Sequence, residues 1–260
     1  MKYILFLILI FLIILYLYNY KYYKYEYFND SNKIIFLTKE MTSDIIISDK
    51  DNYFLRFNEL DLLARNAVTV KDYKDKIIKA SCDFTDEQRE IITECIENIN
   101  NKLIPKINES WIIRSKLLDI PWKIGVVSTR IYEVGLPHTR DDTIILPSNQ
   151  INLSTEFMDT LLHEKLHVYQ KTYPDDFSIY LEENKYVKYQ KYIDTDIRYR
   201  SNPDTDEWIY KKNGLIYVSE YINNPKTILD VRYKPKNSCV YEHPREKSVY
   251  DLLNKINKNT

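Results

Sequence analysis

Hydrophobic and polar positions along the chain first mark out an apolar N-terminal stretch. Residues 3–18 are sixteen residues without a charge, and a helix needs about 17–25 mostly apolar residues to cross a bilayer. Asn19 and Tyr20 extend the stretch to the membrane interface, where tyrosine is favoured. The pattern therefore predicts a transmembrane anchor at residues 1–20, which contacts the lipid bilayer through residues 3–18.

The residues after this stretch favour an uncleaved signal-anchor over a cleaved signal peptide, which is the alternative. The sequence NYKYYKYEYF is bulky and aromatic, and it lacks the small residues at which a signal peptide is cleaved. Positive charges are balanced on the two sides of the stretch, so the orientation stays open. We expect a single-pass protein of a viral or host membrane, with a polar tether rich in Tyr, Lys and Asn at residues 21–33.

Residues 34–260 are long enough to form a sizeable hydrophobic core. Apolar residues at helical spacing predict an amphipathic helix at 86–104, which begins after a capping-box pattern at Thr85. The β-branched and aromatic residues of 123–147 predict two or three strands. The last two of these strands are expected to be joined by a loop at 136–142.

The pattern after these strands is mainly helical. Helical spacing continues to about residue 172, with Ser154 or Thr155 as the N-cap of the helix. Three more elements are expected after it: a helix at 177–193, a hairpin around Asn213-Gly214 and a last helix from Pro244 to about Asn257. The mixture of helices and strands indicates an α+β domain.

The composition narrows the classes of function. With 44% hydrophobic and 29% charged residues, the chain is close to globular averages, which excludes wholesale disorder. A net charge of −1 gives no electrostatic footprint for nucleic acid, so no nucleic-acid partner is expected. Cys82, Cys95 and Cys239 are too few for a disulfide scaffold and form no C-x-x-C pair, so we expect free buried thiols.

The clearest chemical signal is His163-Glu164-Lys165-Leu166-His167, an H-E-x-x-H motif inside a predicted helix. Four residues advance a helix by about 400°, so the two histidines lie on one face and can bind one Zn²⁺ ion. Glu164, rotated by about 100°, can reach a metal-activated water as a general base. The alternative is a pair of surface histidines. The apolar neighbours of the motif disfavour it, because buried histidines need polar partners.

On this motif the chain resembles the zincin metallopeptidases, which carry HExxH on their active-site helix. The resemblance implies a zincin-like two-lobed domain with a small twisted sheet over that helix, with lobes at 34 to about 172 and 173–260. It also implies one catalytic Zn²⁺ ion and a peptide or protein substrate. In the family an edge strand pairs with the substrate, and residues 142–147 are the candidate. The predicted fold class is such an α+β domain preceded by the transmembrane helix.

A catalytic zinc ion usually has three protein ligands, so one more is expected outside the motif. The metzincin extension is excluded, because Gln170 and Tyr173 stand where it needs glycine and histidine. None of the later candidates matches the thermolysin-like E-x-x-x-D pattern. We favour Glu246, because its H-P-x-E context resembles the helix starts that carry the third ligand in some zincins. The alternatives are Glu182, Glu183 and Glu242, or a capping box from His243 to Glu246 without a metal.

Other polar residues in the same segments are candidates for contacting the substrate or the oxyanion that develops on its carbonyl. They are His138 and Arg140 in the loop between two strands, and Tyr241, His243 and Tyr250 around Glu246. Asp159 lies one turn before His163 and could orient its ring.

The sequence thus predicts a membrane-anchored zinc-dependent peptidase. His163, His167 and Glu246 are expected to bind the zinc ion, and Glu164 is expected to act as the general base. The alternative is a catalytically inactive zincin-like structural or binding protein of a viral or cellular envelope. A metal-dependent hydrolase of non-peptide amides is a third candidate.

Overall fold

The computed structural model describes residues 33–128, 130–195, 198–235 and 241–258, together with the backbone of residues 27–29. The helices are α1 (Lys39–Ser48), α2 (Glu59–Ala64), α3 (Val70–Ile77), α4 (Asp86–Asn98), α5 (Arg114–Asp119), α6 (Thr155–Thr172), α7 (Pro174–Glu183) and α8 (Pro244–Lys258). The strands are β1 (Tyr27–Asn29), β2 (Ile34–Phe36), β3 (Ser81–Cys82), β4 (Trp122–Val127), β5 (His138–Arg140), β6 (Thr143–Pro147), β7 (Val187–Lys191), β8 (Trp208–Lys212), β9 (Leu215–Tyr221) and β10 (Val231–Lys234).

The described strands form two sheets. The larger has the order β1-β2-β4-β6-β5, and the short β3 also pairs with β4. Strands β2, β4 and β6 run parallel, whereas β1, β3 and β5 are antiparallel to their neighbours. The smaller sheet has the order β10-β9-β8-β7 and is antiparallel throughout. The described domain is therefore α+β.

Side chains that alternate along the central strands fill cores on both faces of the larger sheet. Ile124 and Leu146 belong to the core that also contains residues of α4, α6 and α8. Val127 and Ile145 belong to the core on the other face, with Tyr73 of α3. Successive strand residues point to opposite faces, so an apolar run without alternation gives a sheet covered on both sides. The helix α6, which carries the motif, contacts both the sheet and α8.

Local sequence signals placed several elements correctly. Thr85 forms the predicted capping box with Gln88, and Ser154 caps α6. The predicted hairpin is the pair β8 and β9, joined at Asn213-Gly214, where both residues have positive φ. Cys95 is a free buried thiol and Cys82 a free, partly exposed one, while Cys239 lies outside the described residues.

Two of the predicted secondary-structure elements were wrong. In both segments, pairing with another strand determines the structure. The helix expected at 177–193 ends at Glu183, and Val187–Lys191 is strand β7, which pairs with β8. The loop expected at 136–142 contains strand β5, which pairs with β6 at the end of the larger sheet. The edge strand is consequently β5, and residues 142–147 lie inside the sheet.

The predicted fold class and membrane localisation need a correction at the N-terminus. Among the described residues, no helix is long and apolar enough to cross a membrane. The longest described helix, α6, has 18 residues and carries five charged side chains within a globular core, from Glu156 to Lys171. The anchor at 1–20, including its bilayer contact at 3–18, lies outside the described residues. In the expected tether, Tyr27–Asn29 form β1 against β2.

Candidate metal centre

The two motif histidines meet on one face of α6. The helix begins at Thr155, and Ser154 Oγ caps it by accepting a hydrogen bond from Phe157 N at 3.1 Å. The Nε2 atoms of His163 and His167 lie 2.9 Å apart. His167 is fully buried, and His163 is partly buried. The i, i+4 spacing therefore brings two ring nitrogens to one point.

Glu246 joins the histidines from the first turn of α8, which begins at Pro244. Its Oε2 atom lies 3.4 Å from Nε2 of His163 and 3.7 Å from Nε2 of His167. These three donor atoms all lie within 4.8 Å of one another. The structure thus brings together the three residues that the sequence suggested as zinc ligands.

The spacing of these donors fits a zinc ion. Bonds of about 2.0–2.1 Å in a tetrahedral site place neighbouring donor atoms roughly 3.3 Å apart. The observed separations of 2.9, 3.4 and 3.7 Å scatter around that value. Two imidazoles and one carboxylate are also a donor set that catalytic zinc uses, with a fourth position open.

The charges of Glu246 and the two histidines are coupled. Burial lowers the pKa of His163, but the hydrogen bond and charge of Glu246 raise it to about 9. Burial raises the pKa of Glu246, but the two histidines hold it well below its usual range. The carboxylate of Glu246 therefore favours the protonated form of the His163 ring.

Gln170 fixes the orientation of His167. Nδ1 of His167 lies 3.0 Å from Gln170 Oε1, so this ring nitrogen donates and leaves Nε2 with its lone pair. The amide nitrogen of Gln170 donates to the carbonyl oxygen of Arg245 at 3.2 Å and to Ser248 Oγ at 2.8 Å. One buried amide thus links a ligand on α6 to the helix that carries Glu246.

Glu164 lies beside the donor cluster as a buried carboxylate. Its Oε2 accepts a hydrogen bond from Thr139 Oγ1 at 2.9 Å. Burial and the nearby Asp204 carboxylate raise the pKa of Glu164 to about 8, against the opposing effects of His163 and Thr139. A carboxyl group with a pKa near neutrality can accept and release protons under ordinary conditions.

The side chains of Asp204 and Lys171 form hydrogen bonds with the backbone of Thr139 on the edge strand β5. Thr139 N donates to Asp204 Oδ1 at 2.6 Å, and Thr139 O accepts from Lys171 Nζ at 2.8 Å. These groups are the ones that an added strand would use. A substrate backbone therefore cannot pair with β5 at Thr139 while these bonds persist, which differs from the pairing expected for a zincin edge strand.

Asn202 holds Glu246 in place from the other side. Its amide nitrogen donates to Glu246 Oε1 at 3.1 Å and to Glu242 Oε1 at 2.6 Å. Glu242 also accepts from Arg200 Nη2 at 2.6 Å. Oε1 of Glu246 is thus engaged, and Oε2 is left to face the histidines.

The cluster opens into a cavity of about 510 Å³. His163, Glu164 and Glu246 line it, and so do residues from β5, the segment before β8 and α8. A volume of this size is typical of a small-molecule or peptide-side-chain site. The arrangement can hold a cation and a proton acceptor next to a substrate-sized space.

Two of the suggested substrate-contacting residues lie at this cavity. His138 lines it, and its Nδ1 donates to Leu136 O at 2.9 Å. Burial lowers the pKa of His138. Tyr250 also lines the cavity, and its ring packs 5.0 Å from the ring of His163, centroid to centroid.

Three other suggested residues have different surroundings. Arg140 points to the other face of the sheet, where it pairs with Asp49 and Asp51 and does not line the cavity. His243 is buried, with Nε2 3.2 Å from Asp206 Oδ1. Tyr241 does not line the cavity and packs against Tyr250. Through these contacts, Arg140 and His243 help to hold the fold together.

None of the remaining candidates belongs to the donor cluster of the described residues. Asp159 lines the cavity, but it accepts a hydrogen bond from Asn257 and no hydrogen bond joins it to His163. Of the alternative third ligands, Glu183 accepts from Ser110, and Glu242 pairs with Arg200. Glu182 is on α7 and is not in the donor cluster of the described residues.

Sequence reasoning missed the polar residues that support the cluster. They are Thr139, Gln170, Asn202 and Asp204. Gln170 stood out only as a mismatch to the metzincin pattern, although its position three residues after His167 puts it on the same helix face. The other three come from separate segments, and no local pattern marks them.

In comparisons with known proteins, no family model, no curated protein and no solved structure matches this chain.

Proposed function

We propose that this protein is a zinc-dependent peptidase that hydrolyses bonds in a peptide or protein substrate. One observation carries the proposal. His163, His167 and Glu246 converge beside the buried carboxyl group of Glu164, at a cavity of about 510 Å³. The first three residues would hold the ion, and this His₂Glu donor set is one that zinc hydrolases use.

Glu164 is the proton carrier in this proposal. When bound, Zn²⁺ supplies a Lewis acid that polarises the scissile carbonyl and lowers the pKa of water to about 7. Glu164 accepts a proton from the attacking water and returns it to the leaving amine. Thr139 keeps the carboxyl group in position through its hydrogen bond of 2.9 Å.

Tyr250 is the candidate that we favour for stabilising the oxyanion. Its ring lies against His163 and borders the cavity. Burial raises the pKa of its hydroxyl group, so the group stays protonated and can donate a hydrogen bond. His138 also borders the cavity, but its unprotonated Nε2 is an acceptor, which cannot stabilise an oxyanion.

The test combines metal analysis with hydrolysis of a peptide mixture. The purified protein should contain one zinc ion per chain by elemental analysis, and it should cleave peptides detected by mass spectrometry. Glu164→Gln keeps the size of the side chain and an acceptor for Thr139 but removes the base. It should lower kcat by about 10²–10⁴-fold and leave the zinc content unchanged.

Glu87→Gln, an exposed change on α4 with the same loss of charge, is the matched control and should keep full activity. Unchanged turnover in Glu164→Gln would remove Glu164 from the mechanism. Absence of stoichiometric metal would contradict the zinc site. Bound zinc without cleavage of any peptide would instead identify a metal-containing binding protein.

A further inference from the structure

The described residues that line the cavity carry an excess of acidic groups. Six acids border it: Glu133, Asp159, Glu164, Asp204, Glu242 and Glu246. Arg200 is the single lysine or arginine among the described lining residues. Such a cavity focuses negative potential toward an incoming ligand and favours positive charge.

Internal pairs neutralise part of this charge but not all of it. Arg65 pairs with Glu133 at 2.8 Å, and Arg200 pairs with Glu242 at 2.6 Å. Glu246 faces the two histidines. Asp159 accepts a neutral hydrogen bond from Asn257, so no cation pairs with it directly. A bound zinc ion would offset the charges of Glu164 and Glu246, and Asp159 and Asp204 would then keep the balance negative around the space that a substrate would enter.

Two buried acceptors at this cavity have no hydrogen-bond partner among the described residues. They are Oε2 of Glu242 and Nε2 of His138. Both residues are only 2% exposed, and both line the cavity. Because His138 Nδ1 donates to Leu136 O, the Nε2 atom carries the lone pair. A buried acceptor without a donor is unfavourable, so both positions call for a ligand that donates.

We propose that the cavity recognises a cationic nitrogen donor of the substrate, an ammonium or guanidinium group close to the scissile bond. The negative lining selects the charge, and the unpartnered acceptors of Glu242 and His138 select N–H donors. The α-amino group of a chain terminus and the side chain of lysine or arginine share this chemistry. This inference rests on the proposed peptidase function and names its substrate class.

The experiment uses the full chain with zinc bound and peptides of one common frame. In an acetylated and amidated series, one position is scanned as Lys, Arg, Gln, norleucine and Glu next to each candidate scissile bond. A second series keeps norleucine and has a free N-terminus. Cleavage is followed by mass spectrometry, and binding of the same peptides to the Glu164→Gln protein is measured by calorimetry.

The expected result is a preference of about 10–100-fold in kcat/KM for the cationic peptides over their norleucine counterparts. Preference in the first series identifies a lysine or arginine side chain, and preference in the second identifies the terminal amine. Binding to Glu164→Gln should show the same ranking and should weaken with salt. Equal cleavage and equal binding of cationic and neutral peptides would overturn the inference.

Glu242→Gln tests the acceptor directly. The change retains an acceptor for Arg200 but turns the unpartnered position from an acceptor into a donor. It should abolish most of the discrimination, while Glu87→Gln should retain it. Asp204→Asn is the second variant in case Glu242→Gln does not fold, as judged by thermal unfolding. If Glu242→Gln folds, or Asp204→Asn in its place, and discriminates as the unchanged protein does, the inference is wrong.

The outcomes separate this inference from the peptidase proposal. No cleavage of any peptide, together with selective binding of the cationic ones, would reject the peptidase and keep the cationic site. Cleavage without selectivity would keep the peptidase and reject the cationic site.

Discussion

Two clusters of buried charged side chains can be compared by the partners of their polar atoms. One is the candidate metal cluster, His163, His167 and Glu246. The other, which we name the Arg65 cluster, consists of Arg65 with Asp61 and Glu133. Both are buried. In the first, α6 carries the two histidines, and in the second, Arg65 directly follows the last residue of α2.

The difference lies in how the charges are compensated. In the Arg65 cluster, the guanidinium donates to Glu133 at 2.8 and 3.0 Å and to Asp61 at 3.2 Å. Hydroxyl groups of Tyr73 and Tyr221 donate to the same two carboxylates. Each acceptor there has a donor from the protein.

In the candidate metal cluster, by contrast, three electron-pair donors converge. Gln170 engages the other ring nitrogen of His167, and Asn202 engages the other carboxylate oxygen of Glu246. Burying polar groups is favourable only when they are paired. A compensated cluster therefore serves the architecture, whereas a convergent cluster of donors points to a bound cation.

The largest expected effect on stability comes from removing the cation of the Arg65 cluster. Arg65→Ala should lower the free energy of unfolding by about 3–5 kcal/mol, because it leaves two buried carboxylates without their cation. Urea unfolding followed by circular dichroism measures this. Arg114→Ala, at an exposed position on α5, is the control and should change the free energy by less than about 1 kcal/mol. A loss for Arg65→Ala as small as the control's would show that the cluster is not compensated as described.

The second effect is the pH dependence of the same cluster. Burial raises the pKa of Glu133, but the charge and hydrogen bonds of Arg65 lower it from 4.5 to about 2. The native state then binds fewer protons than the unfolded state between these values. The contribution of Glu133 is present above about pH 4.5 and is lost as the pH falls toward 2, by about 3 kcal/mol in total.

Unfolding in urea across pH 2–6 checks this for the unchanged protein and for Glu133→Gln. The difference in free energy of unfolding between the two should shrink on acidification, because the carboxyl group of the unchanged protein becomes neutral. A difference that is constant with pH would contradict the assigned ion pair.

The smallest effect concerns the orientation of His167 in the candidate metal cluster. Gln170→Leu removes the acceptor of His167 Nδ1 and should weaken zinc binding by about 10–100-fold, as measured by competition with a chelating dye. Gln170→Glu restores an acceptor and should recover part of the affinity. Equal losses in both variants would indicate a packing role, since glutamate supplies the acceptor that leucine lacks.

Comparison of the sequence with the structure shows which signals were local. The cap at Ser154, the capping box at Thr85 and the turn at Asn213-Gly214 act over a few residues, and they placed α6, α4 and the β8–β9 hairpin correctly. The segment 187–191 has no such signal and became a strand because β8 offers it a partner. Likewise, β5 exists through its pairing with β6.

For the candidate site, the sequence by itself determined the helix and the i, i+4 pair of histidines, because both follow from helical periodicity. Only the tertiary structure decided that Glu246 reaches those histidines, that Thr139 and Asp204 border Glu164, and that Arg140 points away. These relations depend on how α8, β5 and the segment before β8 pack around α6. Packing joins residues that are distant along the chain, and no short-range pattern encodes it.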